Sequence, residues 1–232
     1  MEYVIAPPNK PSVAVQGTPS RFPIRRVYCV GRNYAAHARE MGNNPDREPP
    51  FFFAKPADAV IDAHQQVPFP PKTKELHFEV ELVVALGSGG ANLSVDLARS
   101  AIWGAGVGID LTRREVQTVA KSLGRPWDLS KGFDHSAVVG PLQPLDDPAF
   151  LTSGSIWLDR NHERQQTGNL ADMIWPVAEH IALLSEEVTL CAGDLIMTGT
   201  PAGVGPVAVG DTLQASVEGV GNINVQIVES VW

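Results

Sequence analysis

The clearest alternation of apolar and polar positions lies in residues 75–86, ELHFEVELVVAL. Successive side chains of a strand point to opposite faces, so this pattern predicts a strand with Phe78 and Val80 on one face and Glu79 and Glu81 on the other. Residues two apart on a strand are separated by about 7 Å. The two carboxylates could therefore reach one cation, and they would repel each other without it. A solvated acidic strand face is the alternative that this pattern alone leaves open.

A second pattern strengthens the case for a cation. The glycine-rich apolar residues 101–109 run into Asp110, and residues 111–120 have helical periodicity. Thr112 and Glu115 have the spacing of a capping box, which would start the helix without help from Asp110. A buried strand that ends in an aspartate with no local role predicts a site residue.

Together these patterns supply three carboxylates, those of Glu79, Glu81 and Asp110. Oxygen ligands suit a hard cation that keeps its other coordination positions for water and substrate, whereas zinc prefers nitrogen or sulfur. We therefore expect Mg²⁺ or Mn²⁺ as cofactor.

The rest of the pattern predicts an α+β, β-rich chain with short helices. Residues 150–170 alternate around a turn like a hairpin, Pro176 suits the first turn of a helix that buries one face, and the last 45 residues divide into short strands. His180, on that helix, is expected to be structural. Five prolines in residues 1–25 favour an extended N-terminal arm, which leaves residues 26–232 as one domain.

Composition narrows the class of partner. The 232 residues are 44% hydrophobic and carry 18 Lys plus Arg against 26 Asp plus Glu, a formal charge of −8. That balance argues against nucleic acid or an anionic membrane as partner. Cys29 and Cys191 lie in apolar segments and predict buried free thiols in a reducing compartment. No signal peptide or membrane anchor is recognisable, so we expect a cytoplasmic protein.

Six motifs carry a resemblance to a known family. In chain order they are YCVGRNY at 28–34, HAREM at 37–41, FEVEL at 78–82, DLTRREVQ at 110–117, KGFD at 131–134 and TGTPAGVG at 198–205. The set resembles the fumarylacetoacetate hydrolase family, and most closely its short single-domain members, the acylpyruvases and fumarylpyruvate hydrolases. The resemblance covers about residues 25–230. It implies the mixed β-sandwich roll of that family and a homodimer.

Catalytic roles follow from the same resemblance. His37 and Glu40 are three residues apart on a predicted helix, so their side chains can meet, and a carboxylate beside an imidazole makes it a better base. The residues alone leave an idle surface pair open; the resemblance implies a catalytic pair on a lid formed by residues 31–50. It also implies that Lys131 and Gln117 stabilise developing negative charge.

Substrate contacts are less sharply defined. The candidates are Arg32, Tyr34, Arg114, Gly199 and Thr200. Arg114 lies one helical turn beyond Asp110, and threonine hydroxyls with glycine amides in a loop could hold a carboxylate. Lys55, at the end of an apolar strand, is either a solvated strand end or a further substrate contact.

The implied activity is hydrolysis of a carbon–carbon bond in an acylpyruvate, a small-molecule keto acid. Fumarylpyruvate, cleaved to fumarate and pyruvate in aromatic catabolism of the gentisate type, is the preferred substrate. The same scaffold could instead decarboxylate oxaloacetate, or isomerise or decarboxylate unsaturated dioic acids. A cupin-like metal-binding protein is suggested by His77, Glu79 and Glu81 on one face, but the second histidine is missing. A binding protein without catalysis would keep the carboxylates and not need the His37–Glu40 pair.

Overall fold

The computed structural model describes residues 3–41 and 48–230, and within them the chain forms 18 strands, five α-helices and three 3-10 helices. The strands are β1 (Ser12–Ala14), β2 (Arg21–Pro23), β3 (Arg26–Gly31), β4 (Phe51–Lys55), β5 (Val60–Asp62), β6 (Val67–Pro68), β7 (Leu76–Phe78), β8 (Val80–Leu86), β9 (Ile102–Asp110), β10 (Thr112–Arg113), β11 (Ala137–Val139), β12 (Gln143–Pro144), β13 (Ser155–Arg160), β14 (Glu163–Asn169), β15 (Asp194–Met197), β16 (Gly205–Val207), β17 (Thr212–Val217) and β18 (Gly221–Val228). The α-helices are α1 (Ala35–Glu40), α2 (Val95–Ser100), α3 (Arg114–Ser122), α4 (Asp128–Lys131) and α5 (Val177–Glu187). The 3-10 helices are Ala57–Ala59, Pro148–Thr152 and Leu170–Asp172.

An eight-stranded mixed sheet forms the centre of the fold. Its order is β4-β3-β15-β8-β9-β11-β5, with β12 also paired to β9. The middle strand β8 is buried at every position, which is why residues 82–86 read as a continuous apolar run. Strands covered on both faces have this composition, so Glu81, the charged residue of β8, is enclosed by protein.

A five-stranded sheet, β14-β13-β17-β18-β6, covers one face of the central sheet. Buried positions alternate with half-buried ones along β17 and with exposed ones along most of β18, as expected for strands with one solvated face. Leu158 and Leu213 from this sheet share one core with Leu82 and Val107 from the central sheet. The result is a β-rich roll with short helices, as predicted.

A second core lies on the opposite face of the central sheet. Its members include Val83 and Leu195, together with Val13 and Phe22 from the two-stranded β1–β2 sheet. Part of the proline-rich segment therefore packs against the body of the chain. The division of the chain at residue 25 stays a prediction.

Several local predictions can be compared directly with the structure. The hairpin is confirmed as β13 and β14, and α5 follows Pro176 with His180 buried. Both cysteines are free; Cys29 is buried and Cys191 half-buried. No helix among the described residues is long and apolar enough to cross a membrane.

The predicted capping box is wrong. Helix α3 starts at Arg114, and no side chain caps it. Thr112 belongs instead to β10, where it pairs with His77 of β7, while the Glu115 carboxylate accepts hydrogen bonds from the backbone N–H groups of residues 74 and 75. Because Thr112 pairs with a neighbouring strand, it does not cap the helix, and the capping-box spacing gave a wrong prediction.

Candidate active site

The acidic strand predicted over residues 75–86 is broken at Glu79. Strand β7 ends at Phe78 and belongs to a three-stranded sheet with β10 and β16, whereas β8 begins at Val80 in the central sheet. Val80 N–H donates to Gln166 Oε1 at 2.9 Å, and Asp110 N–H donates to Glu79 O at 2.8 Å. The break therefore lies where the ends of two sheets meet, and it brings Glu79 beside Asp110.

Three carboxylates meet at this point. One oxygen each from Glu79, Glu81 and Asp110 lies within 4.8 Å of the others, and all three side chains are buried. Burial, with the negative charges of Asp110 and Glu79, raises the pKa of Glu81 well above its usual value. A cation between the three groups would remove that repulsion. The all-oxygen donor set fits Mg²⁺ or Mn²⁺.

Two buried lysines contact the same carboxylates. Lys131 Nζ donates to Glu79 Oε2 at 2.8 Å and to Asp110 Oδ2 at 2.7 Å, and Lys55 Nζ lies 2.7 Å from Asp110 Oδ1. Lys55 also donates to the backbone carbonyls of Leu111 and Lys131. Lys55 is thus neither a solvated strand end nor a substrate contact, because its ammonium is fully enclosed and holds Asp110 in place.

Charge balance differs among the three acids. Burial alone would raise the pKa of Glu79, but the positive charges of Lys131 and Arg114 outweigh it and hold that pKa below its usual value. Burial likewise opposes the charge on Lys131, yet Asp110 and Glu79 raise its pKa. Both groups are therefore charged at neutral pH. Glu81 alone has no paired cation among the residues that the structure describes.

The first turn of α3 adds a polar network. Arg114 donates through Nη2 to Glu79 Oε1 and through Nη1 to Gln117 Oε1 at 2.6 Å. Its Nε lies 3.4 Å from His77 Nδ1, and His77 Nε2 lies 2.9 Å from Glu75 Oε1. Arg114, expected to bind substrate, is thus committed to Glu79. Gln117 keeps its amide nitrogen for a ligand, because its oxygen is already occupied.

Helix α1 carries the predicted base. His37 is buried, its Nδ1 lies 3.2 Å from Glu40 Oε2, and both oxygens of Glu40 accept from Gly203 N–H at 3.0 and 3.2 Å. The glycine-rich loop after β15 therefore fixes the carboxylate that orients the imidazole. The lid over residues 31–50 stays a prediction, and residues 42–47 of it lie outside the described part of the chain.

The same loop also holds one of the acids. Gly199 N–H donates to Glu81 Oε2 at 2.8 Å. Its φ is +97°, and a Cβ there would lie 2.7 Å from Asn33 Cβ, so the position requires glycine. Thr200 lies beside it and faces the cavity. Gly199 therefore acts on a carboxylate of the protein, while Thr200 is placed to contact a ligand.

The chain is similar to known proteins over most of its length. Residues 26–228 match the family described as fumarylacetoacetate (FAA) hydrolase C-terminal. The chain belongs to this family. An oxaloacetate tautomerase of Escherichia coli K12 is 40% identical over 208 residues, 88% of this chain and 93% of that protein. A fumarylpyruvate hydrolase of a Ralstonia species is 39% identical over 189 residues, 81% of this chain and 98% of that protein.

A solved structure is similar over nearly the whole length. The crystal structure of fumarylpyruvate hydrolase from Pseudomonas aeruginosa in complex with Mn²⁺ and pyruvate has a TM-score of 0.94 and 43% identity, and the match covers 99% of this chain and 100% of that one. The predicted fumarylacetoacetate hydrolase fold is thereby confirmed. Relatives of nearly equal identity carry different activities, so membership fixes the enzyme family and leaves the reaction to be argued from the site.

The three carboxylates lie at the base of a cavity that opens to solvent. Most of the predicted residues line it: Arg32, His37, Glu79, Glu81, Asp110, Arg114, Gln117, Lys131 and Thr200. Tyr34 is not among them. It lies in the apolar core, and its buried hydroxyl has no hydrogen-bond partner in the described structure. Its expected substrate contact therefore has no support from the geometry.

Sequence reasoning missed Gln166, which lies on β14 of the predicted hairpin. Its side chain is fully buried; besides the bond to Val80, its Nε2 donates to Thr200 Oγ1 and to Pro201 O, both at 2.8 Å. It thereby ties the break in the acidic strand to the glycine-rich loop. An inward-facing glutamine in a strand was the available signal, and only the sheet packing shows what it binds.

Sequence reasoning also missed side chains that line the cavity, among them Phe53, Lys121 and Trp127. Lys121 could have been found from spacing, because it follows Gln117 by four positions on the same face of α3. The two aromatic side chains come from β4 and the turn before α4, and nothing local in the sequence connects them.

Proposed function

We propose that the protein is a divalent-metal-dependent hydrolase that cleaves a carbon–carbon bond of an acylpyruvate, with fumarylpyruvate as the preferred substrate and fumarate and pyruvate as products. The observation that carries this proposal is that one cavity is lined both by three buried carboxylates and by His37, whose imidazole contacts Glu40. A binding protein would have no use for the pair. The same reaction is named for relatives at 39% and 43% identity.

The cation would be held by Glu79, Glu81 and Asp110. When bound, Mg²⁺ or Mn²⁺ supplies Lewis-acid polarisation of the keto-acid oxygens. The raised pKa of Glu81 supports this assignment, because the fold keeps a carboxylate at a position where its charge is unfavourable without such an ion. A similar fumarylpyruvate hydrolase was crystallised with Mn²⁺ and pyruvate.

The protein residues account for the proton transfers. Glu40 holds His37 Nδ1, which leaves the other ring nitrogen to take a proton from water. The hydroxide adds to the acyl carbonyl, and the bond between the acyl carbon and the pyruvate methylene carbon breaks, leaving its electron pair on the pyruvate part as an enolate. Lys131 and the Gln117 amide stabilise that charge. Return of the proton to carbon completes pyruvate, and the acyl part leaves as a carboxylate.

Oxaloacetate tautomerisation or decarboxylation is the second candidate. An oxaloacetate tautomerase at 40% identity favours it. Tautomerisation moves a proton between carbon and oxygen, so it needs the same base and the same stabilisation of an enolate but no attacking water. Product analysis separates these reactions, because only hydrolysis of an acylpyruvate releases a second carboxylic acid and consumes water.

The proposal is tested with fumarylpyruvate, acetylpyruvate and oxaloacetate, each assayed with Mg²⁺ and with Mn²⁺. We expect the wild-type protein to hydrolyse the acylpyruvates only with added metal. His37→Ala should bind Mn²⁺ normally and lose roughly 10²- to 10⁴-fold in kcat. His64→Ala, which changes an exposed histidine, serves as the control. Undiminished hydrolysis in strong chelator, or normal turnover by His37→Ala, would contradict the mechanism.

The oligomeric state, the cellular location and the metabolic pathway are further parts of the proposal. A homodimer, a cytoplasmic location and a place in gentisate-type catabolism accord with the proposed reaction, and size-exclusion chromatography with light scattering would test the first of these.

A further inference from the structure

The active-site cavity changes character from its floor to its mouth. At the floor lie the buried carboxylates and Lys131; at the mouth lie two exposed cations, Arg32 at the end of β3 and Lys121 at the end of α3. Neither Arg32 nor Lys121 makes an ion pair with an acidic side chain in residues 3–41 or 48–230. Two cations with no acidic partner at the mouth of a cavity are unusual in a chain with a formal charge of −8.

An aromatic wall joins the floor to the mouth. Lys131 Nζ lies 5.1 Å from the centre of the Phe53 ring, the Phe53 and Trp127 rings are 5.7 Å apart, and Lys121 Nζ lies 5.1 Å from the centre of Trp127. The two ammonium groups are thus separated by two ring faces. An aromatic surface between two cationic positions matches a flat, unsaturated chain with a carboxylate at each end.

The electrostatics of the mouth agree with this arrangement. Burial lowers the pKa of Lys121, and the positive charges of Arg114 and Arg32 lower it further. Arg32 also has a φ of 60°, a sparsely populated region for a residue other than glycine. Within residues 3–41 and 48–230, the positive charge at the mouth therefore has no acidic side chain paired with it, as expected where an anion arrives with the substrate.

We propose that Arg32 and Lys121 bind the remote carboxylate of the substrate, so that the enzyme selects 2-oxo acids that carry a second carboxylate at the far end of the chain. The inference rests on the proposed function for the placement of the 2-oxo acid end at the floor. It assigns Lys121 a specificity role, and it favours a long dicarboxylate such as fumarylpyruvate over acetylpyruvate. Oxaloacetate has only two carbon atoms between its carboxylates, so we expect its binding not to involve the pair.

The test compares two unreactive ligands of equal chain length, 2-oxoadipate and 2-oxohexanoate, which differ in the far carboxylate. Dissociation constants are measured by calorimetry with the Mn²⁺-loaded protein. We expect the wild type to prefer 2-oxoadipate, and Lys121→Met and Arg32→Met each to weaken 2-oxoadipate about three- to tenfold while leaving 2-oxohexanoate unchanged. Lys121→Arg should keep the preference, and added salt should reduce it because the mouth is exposed.

Two further comparisons keep the interpretation clear. Lys10→Met removes an exposed lysine that does not line the cavity and should change neither constant. In turnover, Lys121→Met should raise KM for fumarylpyruvate with kcat nearly unchanged, and leave both constants for acetylpyruvate as they are. Equal weakening of both ligands, or no weakening of either, overturns the inference. A wild type that shows the ligand preference but hydrolyses no acylpyruvate overturns the proposed reaction and leaves the carboxylate site standing.

Discussion

Two buried carboxylates, those of Asp194 and Glu81, lie near opposite ends of β15 and differ in whether a cation pairs with them. At the start of the strand, Asp194 accepts from Arg25 Nη1 at 3.0 and 2.9 Å and from Cys191 N–H at 2.9 Å. Just beyond its end, Gly199 N–H donates to Glu81 of the neighbouring strand, and no cation pairs with that carboxylate in the described structure. A matched charge indicates a structural carboxylate, whereas a buried and unmatched one indicates a place reserved for a ligand.

The pKa shifts express the same difference. The hydrogen bond that Arg25 donates to Asp194 raises the pKa of Arg25, so the pairing favours the charged guanidinium. Burial and the neighbouring acids raise the pKa of Glu81. Between the ordinary carboxyl pKa and that raised value, the folded protein binds more protons than the unfolded chain, so its stability falls as pH rises through this window. Without metal, Glu81 therefore destabilises the protein at neutral pH.

The largest expected effect is that of Glu81→Gln. Removing the unmatched charge should abolish tight Mn²⁺ binding and lower kcat/KM about 10³-fold or more. Because the repulsion is gone, the metal-free variant should melt at a higher temperature than the metal-free wild type at pH 7. Calorimetric Mn²⁺ titration and thermal melts in chelator measure the two changes. A lower melting temperature would show that Glu81 is structural, like Asp194.

The next largest expected effect is a loss of stability at low pH, and it comes from His180, which is not part of the acidic site. His180 is fully buried with Nδ1 3.1 Å from Trp175 O, and burial lowers its pKa from 6.5 to about 4. As pH falls from 6.5 to 4, the unfolded chain takes up a proton that the folded protein does not, so stability is lost on acidification. The loss should reach about 3 kcal/mol.

The measurement for His180 is denaturant unfolding at several pH values. His180→Asn keeps a donor for the Trp175 carbonyl but does not titrate, so its stability should fall less than that of the wild type across this window. Parallel pH profiles for the two proteins would mean that burial does not lower the pKa of His180 in the folded protein.

Asp194→Asn should have the opposite profile to Glu81→Gln. Its side chain is fully buried, but Arg25 is about one-third exposed and can be hydrated when its partner is lost. We therefore expect roughly 2 kcal/mol of destabilisation by urea unfolding, less than for a fully enclosed pair. Mn²⁺ affinity and kcat should stay within about twofold of wild type, because Asp194 does not line the cavity. A large loss of metal affinity would remove the contrast between the two ends of β15.

The contrast also explains how much of the site could be predicted from sequence. Glu79, Glu81 and Asp110 were identified because they interrupt buried apolar runs, and periodicity records such interruptions. The partners were not identified: Lys55 binds Asp110 only because β4 pairs with β3 at the edge of the central sheet, and Gln166 reaches Val80 from the other sheet. Such contacts depend on which strands become neighbours in the sheets, and the spacing of residues along the sequence does not predict that. The same limit made the capping box wrong.

The smallest effect comes from the glycine that holds Glu81. Gly199 and Gly210 have nearly equal φ values, +97° and +95°, but a Cβ at Gly210 would meet nothing within 4 Å, whereas one at Gly199 would lie 2.7 Å from Asn33 Cβ. Alanine at either position should cost about 1–2 kcal/mol of backbone strain. Only Gly199→Ala must also shift the loop away from Glu81, so its Mn²⁺ affinity should fall about tenfold while that of Gly210→Ala is unchanged. Equal affinities in calorimetry would show that this hydrogen bond does not orient the carboxylate, and that Glu81 is positioned by its strand alone.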